Sequence, residues 1–209
     1  VETIVELCAR RLPENMKIPS ASIQVLSPTR KGETGTVNLN KRLQAALNPP
    51  SESKKEKLFG EAVFRVGDRV IQTKNNYDTI WKTKGGVSGA GVYNGDIGTI
   101  AQIDPITETL TVDFEDKLAT YSFEMLNELE HAWALTVHKS QGSEYRAVVL
   151  ALSGDVQMLL TRGVLYTAVT RAKELLIMVG DDNIAHRMID NNKQSRRYSA
   201  LRLRLIADD

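Results

Sequence analysis

The 209-residue chain is 42% apolar and 25% charged, the make-up of a soluble globular protein with room for one domain with an ordinary core, or for a core domain carrying a small insertion. Its net charge of +1 neither supports nor excludes a nucleic-acid partner, and its single Cys8 excludes an internal disulfide and a cysteine-based zinc site. No apolar run approaches the ~20 residues that span a bilayer and no charged-then-apolar leader stands at the start, so the expectation is a cytoplasmic protein with no membrane partner.

The chain opens with Val1 inside a helical pattern, which predicts a piece excised from a longer protein. Apolar residues at Ile4, Val5, Leu7, Cys8 and Leu12 predict an amphipathic helix over Val1 to Leu12, ended before Pro13, with Cys8 as a small buried hydrophobe. Ile23 to Ser27 reads as a strand. The loop Pro28 to Gly35 follows it, and then a helix from about Thr36 with Leu39, Leu43, Ala46 and Leu47 on one face. Asn48 to Gly60 has two prolines and a run of serine, lysine and glutamate, which predicts a surface loop. Its Lys54, Lys55 and Lys57 are read as solvated rather than as phosphate contacts.

From Val66 the pattern changes to short strands: Asp68 to Thr73, Asp96 to Ile103, Thr109 to Phe114 and Leu118 to Phe123. Asp104-Pro105 and Glu115-Asp116-Lys117 are turn chemistry, and so many short strands predict a small barrel. Asn94-Gly95 is a tight-turn signal. The glycines from Gly85 to Gly91 match no phosphate-binding loop and read as a flexible hairpin tip. Asn75, Asn76 and Tyr77 offer two amides and an aromatic ring. They suit hydrogen bonding and stacking on a nucleotide, or an asparagine-rich strand exit. Trp81 suits stacking on a base or capping the barrel.

Ala134, Thr136 and His138 alternate with Leu135, Val137 and Lys139 as in a strand, and Ala147 to Leu152 reads as a second, buried strand. Between them lies the polar loop Lys139-Ser140-Gln141-Gly142-Ser143-Glu144, with a glycine where the backbone turns or closely approaches a ligand. Strands opening into such loops are where α/β folds place ligands. A helix is expected over Tyr166 to Lys173, with Arg171 projecting from it or pairing with Glu174. A buried strand from Leu175 to Val179 and a helix near Asn183 capped by Asp181-Asp182 follow. A last helix is expected over Ser195 to Ile206, with Arg196, Arg197, Arg202 and Arg204 on a solvated face. His138 with Ser143 invites a hydrolase reading, but no nucleophile elbow supports it.

Several of these stretches together resemble superfamily 1 helicases of the RecD-like group. Thr136 to Glu144 resembles the family's T-x-H-K-S/T-Q-G-x-E, and Tyr166 to Ala172 resembles Y-T/V-A-V/L-T-R-A, in the family's order. Leu39-Asn40-Lys41-Arg42-Leu43-Gln44 resembles its L-N-x-x-L-Q. Gln72 to Tyr77 resembles Q-x-x-N-N-Y, and Val92 to Gly98 resembles the V-x-N-G-D-x-G that opens an SH3-like insertion.

The resemblance implies an α/β fold: a RecA-like parallel sheet flanked by helices over residues 1–65 and 127–209, the second motor domain, interrupted by an SH3-like β-barrel over 66–126. It implies an ATP-dependent 5′ to 3′ DNA helicase of repair or recombination. Arg171 would be the catalytic arginine finger, with Gly142, Glu144, Arg171 and Arg30 toward ATP. Thr136, His138, Lys139, Ser140, Asn75, Asn76 and Tyr77 would face single-stranded DNA. The Thr136 to Glu144 motif would couple nucleotide to DNA. No G-x-x-x-x-G-K-S/T loop and no Asp-Glu strand pair occur in the sequence. ATP and Mg2+ are therefore expected mainly on a first RecA-like domain of the same parent, other recombination subunits are possible partners, and this chain alone should lack ATPase activity. The rival readings are a non-catalytic nucleic-acid- or protein-binding module on a degenerate RecA-like domain, or the motor of an RNA helicase or conjugative relaxase-helicase.

Overall fold

The computed structural model describes residues 1–154 and 157–192, and the helix expected over Ser195 to Ile206 lies outside the described residues. The chain forms α1 (Glu2–Glu6), a π-helical turn (Leu7–Arg11), α2 (Leu12–Met16), β1 (Ile23–Ser27) and α3 (Thr36–Leu47). An antiparallel stretch follows: β2 (Glu56–Phe59), β3 (Ala62–Arg65), β4 (Arg69–Gln72), β5 (Asn76–Thr83), β6 (Ser88–Val92), β7 (Ile97–Asp104), β8 (Thr109–Phe114), β9 (Lys117–Ser122) and β10 (Leu129–His131). It then returns to β11 (Ala134–Thr136), β12 (Tyr145–Ala151), α4 (Arg162–Val169), β13 (Ala172–Val179) and α5 (Asp182–Asp190).

The first sheet has four strands in the order β11-β1-β12-β13, all parallel. Strand periodicity sends successive side chains to opposite faces, and the core divides accordingly. Val25, Ala147, Val149 and Ala151 pack with Ile4, Leu12, Leu39 and Leu43 under the first helices. Leu26, Val148 and Leu150 pack with Leu165, Ala168, Ile184 and Met188 under α4 and α5. The result is a three-layer α/β/α body, as such a sequence pattern requires. Cys8 is buried in the first of these cores, and burial pushes its thiol up to about 12.

The second sheet has seven strands in the order β10-β4-β7-β8-β9-β5-β6. Val70, Val92, Ile100, Val112, Ala119 and Leu129, drawn from nearly every strand of that order, meet in one cluster, so the sheet curls on itself. The β2–β3 hairpin adds Phe64 to the same cluster.

Several local expectations are corrected. The first helix does not stop before Pro13 but runs to Met16 through the π turn. Proline removes one helical N–H, and a widened turn immediately before it absorbs that loss. The loop expected over Asn48 to Gly60 contains β2, because Lys57 and Phe59 pair across to β3. Lys57 lies over the Phe123 ring and Lys54 donates to Asn48, so neither is a free phosphate contact. The flexible hairpin tip expected over Gly85 to Gly91 is mostly β6, which pairs with β5. Gly89 is required there, since a Cβ would lie 2.3 Å from a ring atom of Trp81. Trp81 therefore packs on the sheet and is capped by Lys117.

Polar side chains on and just after α3 fix both β11 and the curled sheet. Asn40 on α3 donates to the Ala134 carbonyl and accepts from its N–H, closing β11 as a neighbouring strand would. Gln44 on α3 and Asn48 just past its end donate to the fully buried Asp68 at 2.6 and 2.7 Å. Asp68 also accepts from the Arg65 N–H and faces His131 Nε2. Helix α3 thus holds the curled sheet by one carboxylate.

Candidate nucleotide and nucleic-acid site

The residues singled out in the sequence fall at opposite ends of the parallel sheet. The carboxyl ends of β1 and β11 lead into the loop from Pro28 and a 3-10 turn at His138–Ser140. The expected strand does not reach His138, because the turn bends the chain after Thr136. Thr136 Oγ1 accepts from the Lys139 N–H and braces that turn. Ser140, expected as a surface contact, is fully buried and gives its hydroxyl to the Val137 carbonyl. His138 is exposed. Lys139 meets Glu130 at 2.9 Å, and Arg30 meets the same carboxylate at 3.1 Å.

From Gln141 the chain crosses to the opposite end, where Tyr145 begins β12. Gly142 is exposed at φ +84°, a conformation glycine alone adopts without strain, and nothing stands within 4 Å of where its Cβ would be. Glu144 pairs loosely with Lys173 at 3.3 Å.

Arg171 arrives at this same end. Helix α4 stops at Val169 and β13 starts at Ala172, so the arginine sits in the joint between them instead of on the helix. Its Nε donates to the Thr167 carbonyl at 3.1 Å, Nη1 to the Ser143 carbonyl at 2.9 Å and Nη2 to Thr170 Oγ1 at 3.2 Å. A guanidinium has five N–H donors, so two remain to donate outward from a fixed fork. The alternative partner Glu174 is taken by Arg146. Tyr145 lies behind: burial pushes its hydroxyl pKa up, while Ser143, Arg69 and Arg171 pull it back down. The hydroxyl faces Ser143 without closing a hydrogen bond of good geometry.

The structure therefore gathers Gly142, Glu144 and Arg171, and gathers Thr136, His138 and Lys139 at the other end. Arg30, expected beside the nucleotide, lies beyond the carboxyl end of β1 and shares a partner with Lys139, so it belongs with the second group. The eight residues from Val137 to Glu144 connect the two groups directly along the chain.

On the second sheet, Asn76 accepts from the Asp78 and Thr79 N–H groups and donates to Glu128, and Asn75 accepts from the Asn94 N–H. Both amides hold the bend itself. What they present is Tyr77, edge-on to Tyr93 at 5.9 Å, with both rings exposed. Tyr93 escaped the sequence reading because it lies in the turn stretch; its exposure is visible only in three dimensions.

Comparison with known proteins finds matches along both halves of the chain. A family model for the SH3 domain of ATP-dependent RecD-like DNA helicases matches residues 39–114, and one for the UvrD-like helicase C-terminal domain matches residues 131–179. The ATP-dependent RecD2 DNA helicase of Deinococcus radiodurans is 34% identical over 186 residues, covering 89% of this chain and 24% of that protein. The RecBCD enzyme subunit RecD of Mycolicibacterium smegmatis is 31% identical, covering 87% of this chain and 29% of its own length. The chain thus spans about a quarter of these relatives. Among solved structures, Bacteroides Pif1 helicase in complex with ADP-AlF3 and single-stranded DNA shares the fold, with TM-score 0.53 and 16% identity over 100% of this chain and 50% of that one.

Proposed function

Because the chain belongs to the RecD-like DNA helicases, we propose that residues 1–65 and 127–209, the stretches that carry its parallel sheet, belong to the second motor domain of an ATP-dependent 5′ to 3′ helicase acting in repair or recombination. Residues 66–126 form the main part of its inserted barrel, which β10 and the β2–β3 hairpin complete by pairing and packing. In this reading the chain supplies half of a nucleotide site. Gly142 offers bare backbone to the nucleotide and Glu144 a hydrogen-bond acceptor, while Arg171 aims its two remaining N–H donors at the transferred phosphoryl group. ATP, with Mg2+, is held mainly by the first motor domain of the full-length protein.

Single-stranded DNA runs along the opposite end. His138 and Lys139 contact its phosphates, Thr136 and Ser140 brace the turn that presents them, and Tyr77 with Tyr93 offers faces for unstacked bases. Asn75 and Asn76 set the bend that displays those rings. The observation that carries the reading is the placement of Arg171: it is fixed by the Ser143 carbonyl, on the very loop whose other end bears Lys139. One loop then feels both ligands, which is what coupling translocation to hydrolysis needs.

The test is steady-state ATP turnover of the full-length protein against increasing single-stranded DNA. Lys139→Ala should raise the DNA concentration for half-maximal stimulation roughly three- to ten-fold, as loss of one phosphate contact does, with maximal turnover unchanged. An unchanged DNA requirement would refute the assignment of this end to DNA.

A further inference from the structure

Glu130 is an acidic group set directly against Lys139, one of the proposed phosphate contacts. It sits on β10, the strand that pairs with β4 of the curled sheet immediately before the chain enters β11. Its two oxygens go to two different cations, Oε1 to Arg30 Nη2 at 3.1 Å and Oε2 to Lys139 Nζ at 2.9 Å. The cations come from separate loops, one after β1 and one after β11, so this carboxylate is what they have in common. The side chains of Arg30, Glu130 and Lys139 are 62%, 38% and 33% exposed, so the cluster faces solvent.

A carboxylate that gives one oxygen to each of two cations does what a bridging phosphodiester does, with the same charge of −1. We infer that Glu130 holds the place of a backbone phosphate of single-stranded DNA and yields it when the strand binds. The inference rests on the reading of Lys139 as a phosphate contact. Ion pairs this exposed are weak and salt-screened, so the internal partner is displaceable. An isolated anion gains nothing by the exchange, since it replaces one unit charge by another. A polyanion does gain, because its binding also releases condensed counterions. Glu130 thereby sets the affinity of this end and selects for a strand over a free anion.

The test is fluorescence anisotropy of a labelled oligo-dT with the full-length protein, comparing wild type, Glu130→Gln, Lys139→Ala and the double variant over a salt series. Glu130→Gln should tighten binding about three- to ten-fold, with the logarithmic salt slope steeper by about one, since no carboxylate is left to take up a cation. Lys139→Ala should weaken binding, and in the double variant the gain should shrink to the share left on Arg30. Glu130→Ala, which changes only an exposed side chain, should move affinity in the same direction as Glu130→Gln. If Lys139→Ala weakens binding while Glu130→Gln leaves it unchanged or lowers it, the placeholder role is overturned and the DNA assignment stands. If neither substitution changes affinity, the DNA assignment falls and the placeholder with it.

Discussion

Arg171→Ala in the full-length protein should lower DNA-stimulated ATP turnover by roughly 10³ to 10⁵, the range seen where arginine fingers are removed. The size follows from where the guanidinium stands. Three of its donors are already committed to Thr167, Ser143 and Thr170, so reaction meets a charge that is in place and needs no reorganisation. Arg171→Lys should recover little, because an ammonium on a flexible stem cannot make three anchoring bonds and still present a fork. Binding of single-stranded DNA should stay within about two-fold, since His138 and Lys139 lie at the other end of the parallel sheet and Tyr77 and Tyr93 belong to the second sheet. Turnover measured alongside circular dichroism separates the two explanations for a loss: a dead but folded Arg171→Ala supports the finger, and near-normal turnover contradicts it.

Asp68→Ala should be the most damaging substitution for stability. The carboxylate is fully buried and answers the amides of Gln44 and Asn48 and the N–H of Arg65. Truncation leaves those donors facing one another in a dry joint, which costs about 3–5 kcal/mol when one side of a buried polar network is removed. At about 2–4 °C per kcal/mol for a chain of this size, the melting temperature should fall by roughly 6–20 °C. Asp68→Asn should rescue only part of this, because its amide would turn a donor toward donors. A melting temperature lowered by less than about 2 °C would show that the barrel is held to α3 by something other than this network.

Much of this was legible from the sequence because it depends on local pattern. The buried run at Ala147 to Leu152, the strand at Ile23 and the helix from Thr36 follow from periodicity and turn residues, and the structure places them close to those bounds. The motifs around Gly142 and Arg171 were legible because both are long and occur in order. What failed depended on tertiary context. Periodicity cannot show that Ala62 to Arg65 folds back on Glu56 to Phe59, because polar residues on a hairpin resemble a loop. Alternation through His138 looked like strand until Ser140 turned inward to the Val137 carbonyl. Arg30 was assigned to ATP by resemblance, but the carboxylate it shares with Lys139 lies about 100 residues away in sequence, on a strand the barrel contributes. Asp68 carried no signal at all, since one aspartate at a strand start looks like turn chemistry until four partners from two bodies converge on it.

The central claim is that the loop from Val137 to Glu144 connects a DNA end to a nucleotide end of one sheet. Amide hydrogen exchange of the full-length protein, resolved to single residues in that loop, tests it most directly. Single-stranded DNA added without nucleotide should change exchange at Gly142 to Glu144, and a non-hydrolysable ATP analogue added without DNA should change exchange at His138 and Lys139. Protection confined to each ligand's own end would contradict the account.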